Sequence, residues 1–428
     1  RDDGAKAQSR LRLDAFRHAA VAVDAKLAGA EHVSRARIDL DAVGVVGERR
    51  VNGGGAEAAQ GCSHRKTQPR YPLPRREARR MMAPRLLARE LAVSPRSVVM
   101  NLKGVLIAAA FGLAATAAGA ADKVRFGTNW LAEAEHGGYY QAVADGTYKK
   151  YGLDVEIVQG GPQAANQILL VSGKLDFYMG SNLIESFDAI KQNVGLIVVA
   201  AHFQKDPQML MSHPGVGLDK ISELANAPAY VSKGAPFYQW LESAYGFKEE
   251  NIRPYTFNPQ PFIADPKSVQ QGYLTSEPYA IEKMGHFKPN IFLFADLGFN
   301  TYATTVETRP DVVAKKPDLV QRFVDASTVG WYHYLYGDNK AANELIKKDN
   351  PEMTDDQIAF SIAKMKEYGI VDSGIALTKG IGAMDEAQIR DFYEKMVKAN
   401  VEPAGLDITK AYTLQFVNKG VGLDQKPK

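Results

Sequence analysis

From residue 123 onward the chain alternates short apolar runs with longer amphipathic ones. "KVRFGT" (123–128) switches between apolar and polar positions, as a half-buried strand does. The same pattern predicts strands at Leu153–Val158, Leu175–Met179, Leu196–His202 and Gln208–Ser212. A second series is expected at Ala229–Ser232, Ile252–Phe257, Gly272–Ser276, Ile291–Ala295 and Tyr302–Glu307. Between them, stretches such as Gln163–Ser172 and Ile184–Gln192 carry apolar residues at three- and four-residue spacing and predict helices. Alternation of this kind implies α/β layers with mainly parallel sheets.

Two series of strands imply two lobes, and short crossings near 209–213 and 298–307 must join them because no long linker intervenes. Beyond Asp311 the pattern is helical, with Thr354 before "DDQ" and Asp385 before "EAQ" placed as helix starts. Lobe one is expected over 121–209, lobe two over 210–299, and a return to lobe one with C-terminal helices over 300–428. Two lobes joined by crossing segments describe a cleft that closes on its ligand. In open α/β sheets ligands sit beyond the carboxyl ends of strands. Asn129 and Trp130 follow the first strand directly, which sets them at that edge.

Charge separates this body from what precedes it. Residues 1–99 belong to a stretch in which the first 100 positions hold 17 Arg and 3 Lys against 11 acidic residues, whereas from 121 onward acids outnumber bases by 7. The leader lacks an amphipathic period and is expected to be upstream sequence outside the native fold. At Met100 begins "MNLKGVLIAAAFGLAATAAGAADKV", with one Lys, an apolar run and a small-residue cleavage site near Ala120/Ala121. That is the pattern of a secretory signal peptide over 100–120, and its run is too short to span a bilayer. The expected fate is export.

The one cysteine, Cys62, lies in the leader, so thiolate chemistry, disulfides and Cys-ligated metals are excluded from the mature chain. Its histidines (136, 202, 213, 286 and 333) show no metal-ligand spacing, and no nucleophile-elbow, phosphate-loop or zinc-protease motif is present. No catalytic residue, metal or cofactor is expected.

Strand ends supply further candidates. "FYMGSN" places Ser181 and Asn182 at a helix entry, where both residue types also serve as caps. In "VSKGAPFYQW", Lys233 and Gly234 precede a helix whose first turn holds Pro236, and such N-termini bind anions. His136 stands before "GGYYQA", as a helix cap or a ligand contact.

"NWLAEAEHGGYYQAVADGTYKKYGLDVEIVQGG", "SGKLDF" and "GYLTSEPYAIEK" resemble periplasmic substrate-binding proteins of ABC importers, in the branch that carries nitrate, sulfonates, taurine and thiamine-pyrimidine precursors. The resemblance spans nearly all of 123–425. It implies a two-lobed periplasmic-binding-protein fold of type II, a location in the periplasm, a monomer, a small-molecule ligand, an ABC permease of the inner membrane as partner, and no nucleic acid. The "NW" after the first strand is most similar to the thiamine-pyrimidine subset, which holds a flat aminopyrimidine among aromatic rings with an acid on its amino group. Trp130, Tyr139, Phe237 and Tyr302 are then candidate ring faces, and Glu277 the candidate acid. A small anion is the alternative ligand, weakened by only five arginines in the mature chain.

Lobe one also resembles the eukaryotic-type thiamine pyrimidine synthase, an enzyme. Its cofactor lysine aligns with Gly180 and its sacrificial histidine with Ile184. Its cysteine cluster corresponds to "DLGFNTYAT", and its phosphate loop to "SKGA" at 232–235. With each chemical part missing, the expectation is binding rather than catalysis.

Overall fold

The computed structural model describes residues 121–427 apart from 162, 163 and 233, so the leader, the signal peptide and Lys233 lie outside the described residues. The chain runs through β1 (Asp122–Gly127), β2 (Leu153–Val158), β3 (Phe177–Asn182) and β4 (Ile197–Phe203) before it leaves the first sheet. It continues through β5 (Gln208–Ser212), β6 (Ala229–Val231), β7 (Ile252–Pro254), β8 (Val269–Tyr273) and β9 (Asn290–Leu293), then returns as β10 (Ala303–Thr308). The sheets are ordered β2-β1-β3-β10-β4 and β7-β6-β8-β5-β9.

In each sheet four strands run one way, and the fifth, the strand that has crossed over, runs against its two neighbours. The expectation of mainly parallel sheets holds for strand direction. The crossing strands β10 and β5 make the sheets mixed. The chain crosses at 204–207 and returns through 294–302, so the first crossing precedes the expected one and Gln208–Ser212 is already a strand of the second sheet.

β10 lies between β3 and β4, and all six of its residues are buried. β4 would present an open edge, but the C-terminal segment covers it through bridges from Val198 to Tyr412 and Ala201 to Gly382. The expected strand at Gly272–Ser276 begins three residues earlier, at Val269, and ends at Tyr273.

Helices cover the sheets: α1 (Gly137–Ala144), α2 (Leu183–Lys191), α3 (Pro236–Tyr245), α4 (Glu277–Gly285), α5 (Pro317–Tyr336), α6 (Lys340–Asp349), α7 (Asp355–Glu367) and α8 (Glu386–Lys398). Their starts follow side-chain chemistry. Thr354 Oγ1 accepts from Gln357 N, and Asp385 accepts from Ala387 N, as the capping pattern predicts.

The paired glycines of "HGGYY" answer to packing. A Cβ on Gly137 would sit 2.0 Å from the Tyr334 ring, and one on Gly138 2.2 Å from the Trp331 ring, both on α5. Two bare Cα positions therefore let α1 and α5 approach closely. This contact seats Tyr139 in the core of lobe one, fully buried, 4.5 Å from Phe126 by ring centroids and hydrogen-bonded from its hydroxyl to His202 Nδ1.

Candidate functional site

β1 ends against a tight clamp. Thr128 Oγ1 donates to Trp130 O at 2.8 Å, and Gly160 N donates to the same carbonyl at 3.1 Å. A Cβ on Gly160 would lie 2.3 Å from Thr128 O, so only glycine lets the loop after β2 press so close. The clamp fixes the direction of Trp130. Its indole reaches Phe257, which follows β7 in the second lobe, at a centroid distance of 4.9 Å and a tilt of 43°. Phe257 in turn touches Tyr255 at 5.2 Å.

Trp130 and Phe257 line a cavity of about 300 Å³ between the two sheets. Asn129, Trp130, His136, Ser181, Asn182 and Glu277 lie along it. Other expected residues do not. Tyr139 is core, as described above. Phe237 is buried in lobe two against Phe294 at 5.1 Å, and the fully buried Tyr302 accepts from Asp385 N through its hydroxyl, anchoring α8. All three are apolar bodies with a satisfied or absent polar tip, which the core takes as readily as a cleft. Gly234 sits at φ 76° ahead of α3, exposed and away from the cavity lining, and its neighbour Lys233 is outside the described residues.

The polar floor is a chain of hydrogen bonds from one lobe to the other. Asn129 Nδ2 donates to Ser181 Oγ at 3.1 Å, and Ser181 N donates to Glu185 Oε2 at 3.1 Å. Asn182 caps α2 through Oδ1 and donates from Nδ2 to Asp206 in the first crossing at 2.8 Å. Asp206 accepts from Gln208 N, and Gln208 Nε2 donates to Gly272 O on β8. The two crossings also meet through Lys205 and Asp296 at 3.4 Å.

Sequence reasoning named Glu277 but missed the other two acids of this site. Glu133 and Glu135 lie within the quoted "LAEAEH", between two candidate contacts, and both line the cavity with Glu277. Thr275 Oγ1 donates across the cleft to Glu135 Oε1. Glu277 accepts from Tyr255 hydroxyl at 3.1 Å and from Tyr273 N at 2.7 Å. Burial, with the charges of Glu135 and Glu277, holds the Glu133 carboxyl well above the usual range. Burial lifts Glu135 to about 7 against the opposing bond from Thr275 and also raises Glu277, while Asp206 rises to about 6. Burial lowers His136 to about 3, so its imidazole is neutral, with Nδ1 unpartnered. No Lys or Arg is among the described residues of the lining.

Residues 133–341 match the family described as NMT1/THI5 like. The riboflavin-binding protein RibY of Chloroflexus aurantiacus is 23% identical over 318 residues, covering 70% of this chain and 87% of that protein. The periplasmic aliphatic sulphonate binding protein SsuA of Escherichia coli superposes with a TM-score of 0.52 at 13% identity, over 68% of this chain and 91% of its own. The protein described as a putative sulfonate ABC transporter, periplasmic sulfonate-binding protein SsuA, from Methylobacillus flagellatus KT gives a TM-score of 0.50 at 15% identity, over 69% of this chain and 93% of its own. At such identities the two structures speak for the fold. Residues 133–341 are thus similar to the NMT1/THI5-like family, and the chain adopts the two-lobed fold of periplasmic binding proteins.

Proposed function

We propose that this chain is the solute-binding component of an ABC importer, acting in the periplasm, and that it takes a small aromatic nitrogen heterocycle between its lobes for delivery to an inner-membrane permease. One observation carries the ligand class: Trp130 and Phe257, from opposite lobes, cover a cavity lined by Glu133, Glu135 and Glu277 and by no described Lys or Arg. Flat rings suit a planar ligand, and carboxyl groups suit its N–H donors. A sulfonate or nitrate would meet three acids where oxyanion recognition favours guanidinium groups. The name of the relative RibY, a flavin binder, supports a heterocycle; the sulfonate-binding neighbours share the fold at low identity.

Binding rather than catalysis fits the residues at the positions where the resembling synthase has its reactive groups. Gly180 packs under Glu307, with no room for a side chain, and Ile184 is buried on α2. No helix among the described residues is long and apolar enough to cross a membrane, in keeping with delivery to a separate permease.

A thermal-shift screen of residues 121–428 against aminopyrimidines, flavins, alkanesulfonates and nitrate tests the reading, since a ligand of the native state raises the melting point by mass action. Stabilisation by heterocycles is expected. A response confined to sulfonates or nitrate overturns it.

A further inference from the structure

We propose that Glu133 is the acid that receives the N–H donor of the ligand, and that Glu277 instead braces the wall of the second lobe. The proposal rests on the heterocycle reading and names the group that selects within it. Both carboxylate oxygens of Glu277 are already engaged, one by the Tyr255 hydroxyl and one by Tyr273 N. Glu135 is held across the cleft by Thr275. Glu133 has no hydrogen-bond donor among the described residues. His136 Nε2 stands 4.0 Å from Glu133 Oε1, beyond hydrogen-bond reach, and the Glu133 side chain, which lines the cavity, keeps 19% exposure. Beside it, His136 Nδ1 is buried without a partner. An open acceptor next to an unpaired ring nitrogen is a site that lacks its ligand's half of the bonds.

The titratable groups around Glu133 are mostly acids. Its own segment contributes Glu135 and the neutral His136. The second lobe contributes Glu277 from α4 and Tyr273 from β8, with Tyr255 behind them. Tyr273 also feels Asp206 of the first crossing and Glu185 of α2. Lys233 lies outside the described residues. Burial, and then the other carboxyl groups sharing the cavity, oppose the ionisation of Glu133, so the free cleft shifts it toward its protonated form. An amino or amidine donor, above all a cationic one, favours the carboxylate; the ligand enters and the proton leaves to solvent. Affinity for such a ligand therefore rises with pH until the free acid is itself ionised.

The test is calorimetric titration of the wild type, Glu133→Gln and Glu277→Gln with a 4-aminopyrimidine and with the matching pyrimidine lacking the amino group. Each is run at about pH 6.5 in two buffers of different ionisation enthalpy, which counts protons. The wild type is expected to prefer the amino compound and to release about one proton. Glu133→Gln should lose the preference by about tenfold or more, together with the release, at a melting point no lower than that of the wild type. Glu277→Gln should keep the preference and melt lower. Retention of both preference and release in Glu133→Gln, or their loss in Glu277→Gln alone, overturns the proposal. If the wild type ignores both pyrimidines and binds an alkanesulfonate, the heterocycle reading falls, and this proposal with it.

Discussion

Trp130 and Tyr139 stand nine residues apart in one aromatic stretch and have opposite fates. Trp130 is half-buried at a cavity edge, whereas Tyr139 is sealed beneath α5 with its hydroxyl on His202. Trp130→Ala should weaken heterocycle binding by roughly 1–3 kcal/mol and move the melting point little, because the ring sits at the cavity edge, outside the core, and meets an exposed Phe257. Fluorescence quenching on titration checks this, with the buried Trp240 and Trp331 as background. A sharp fall in melting point at intact affinity would make Trp130 a packing residue. Glu135 gives a pH signature. Its folded value, about 7, lies above the ordinary 4.5, so the folded protein binds more protons and this carboxyl's contribution to stability declines as pH rises through that window. Glu135→Gln keeps an oxygen for Thr275 and removes the titration. Relative to wild type it should therefore gain stability between about pH 4.5 and pH 8, by up to about 3 kcal/mol, measured as the difference in melting curves.

At the level of elements, the strands were legible because burial on a sheet leaves a period in the text. All ten expected strands exist, and Leu153–Val158 and Gln208–Ser212 match to the residue. β8 was misplaced for a physical reason: "VQQGY" buries two glutamines, Gln270 completely, so a polar run reads as a loop although it is an interior strand. The helix pair α1–α5 rests on contact that the glycine pair permits. Gly138→Ala places a methyl inside the Trp331 ring and should cost roughly 1–3 kcal/mol or more in a denaturant titration, since the two helices must part. An unchanged midpoint would mean that the helices slide freely.

For the whole molecule, the site was half legible. Strand ends announced Asn129, Trp130, Ser181 and Asn182, because topology sends them to the cleft, and the resemblance supplied Glu277. Glu133 and Glu135 were hidden, since a loop carboxylate ordinarily faces water, and only the second lobe closing over them makes them interior. Phe257 was hidden as well, beyond a strand of three residues that reads as longer. That residue has a consequence in time rather than in affinity. Its backbone sits at φ 61°, a left-handed conformation that disfavours any side chain, and the ring remains 54% exposed. It therefore adds little to folding, yet with Trp130 it makes a ring contact between the two lobes at the cavity. A contact between rings of opposite lobes resists the opening that releases a bound molecule, which makes it a latch on residence time. Phe257→Gly relieves the backbone and removes the latch. Stopped-flow dissociation should quicken by about tenfold, equivalent to about 1.4 kcal/mol, while the melting point holds or rises.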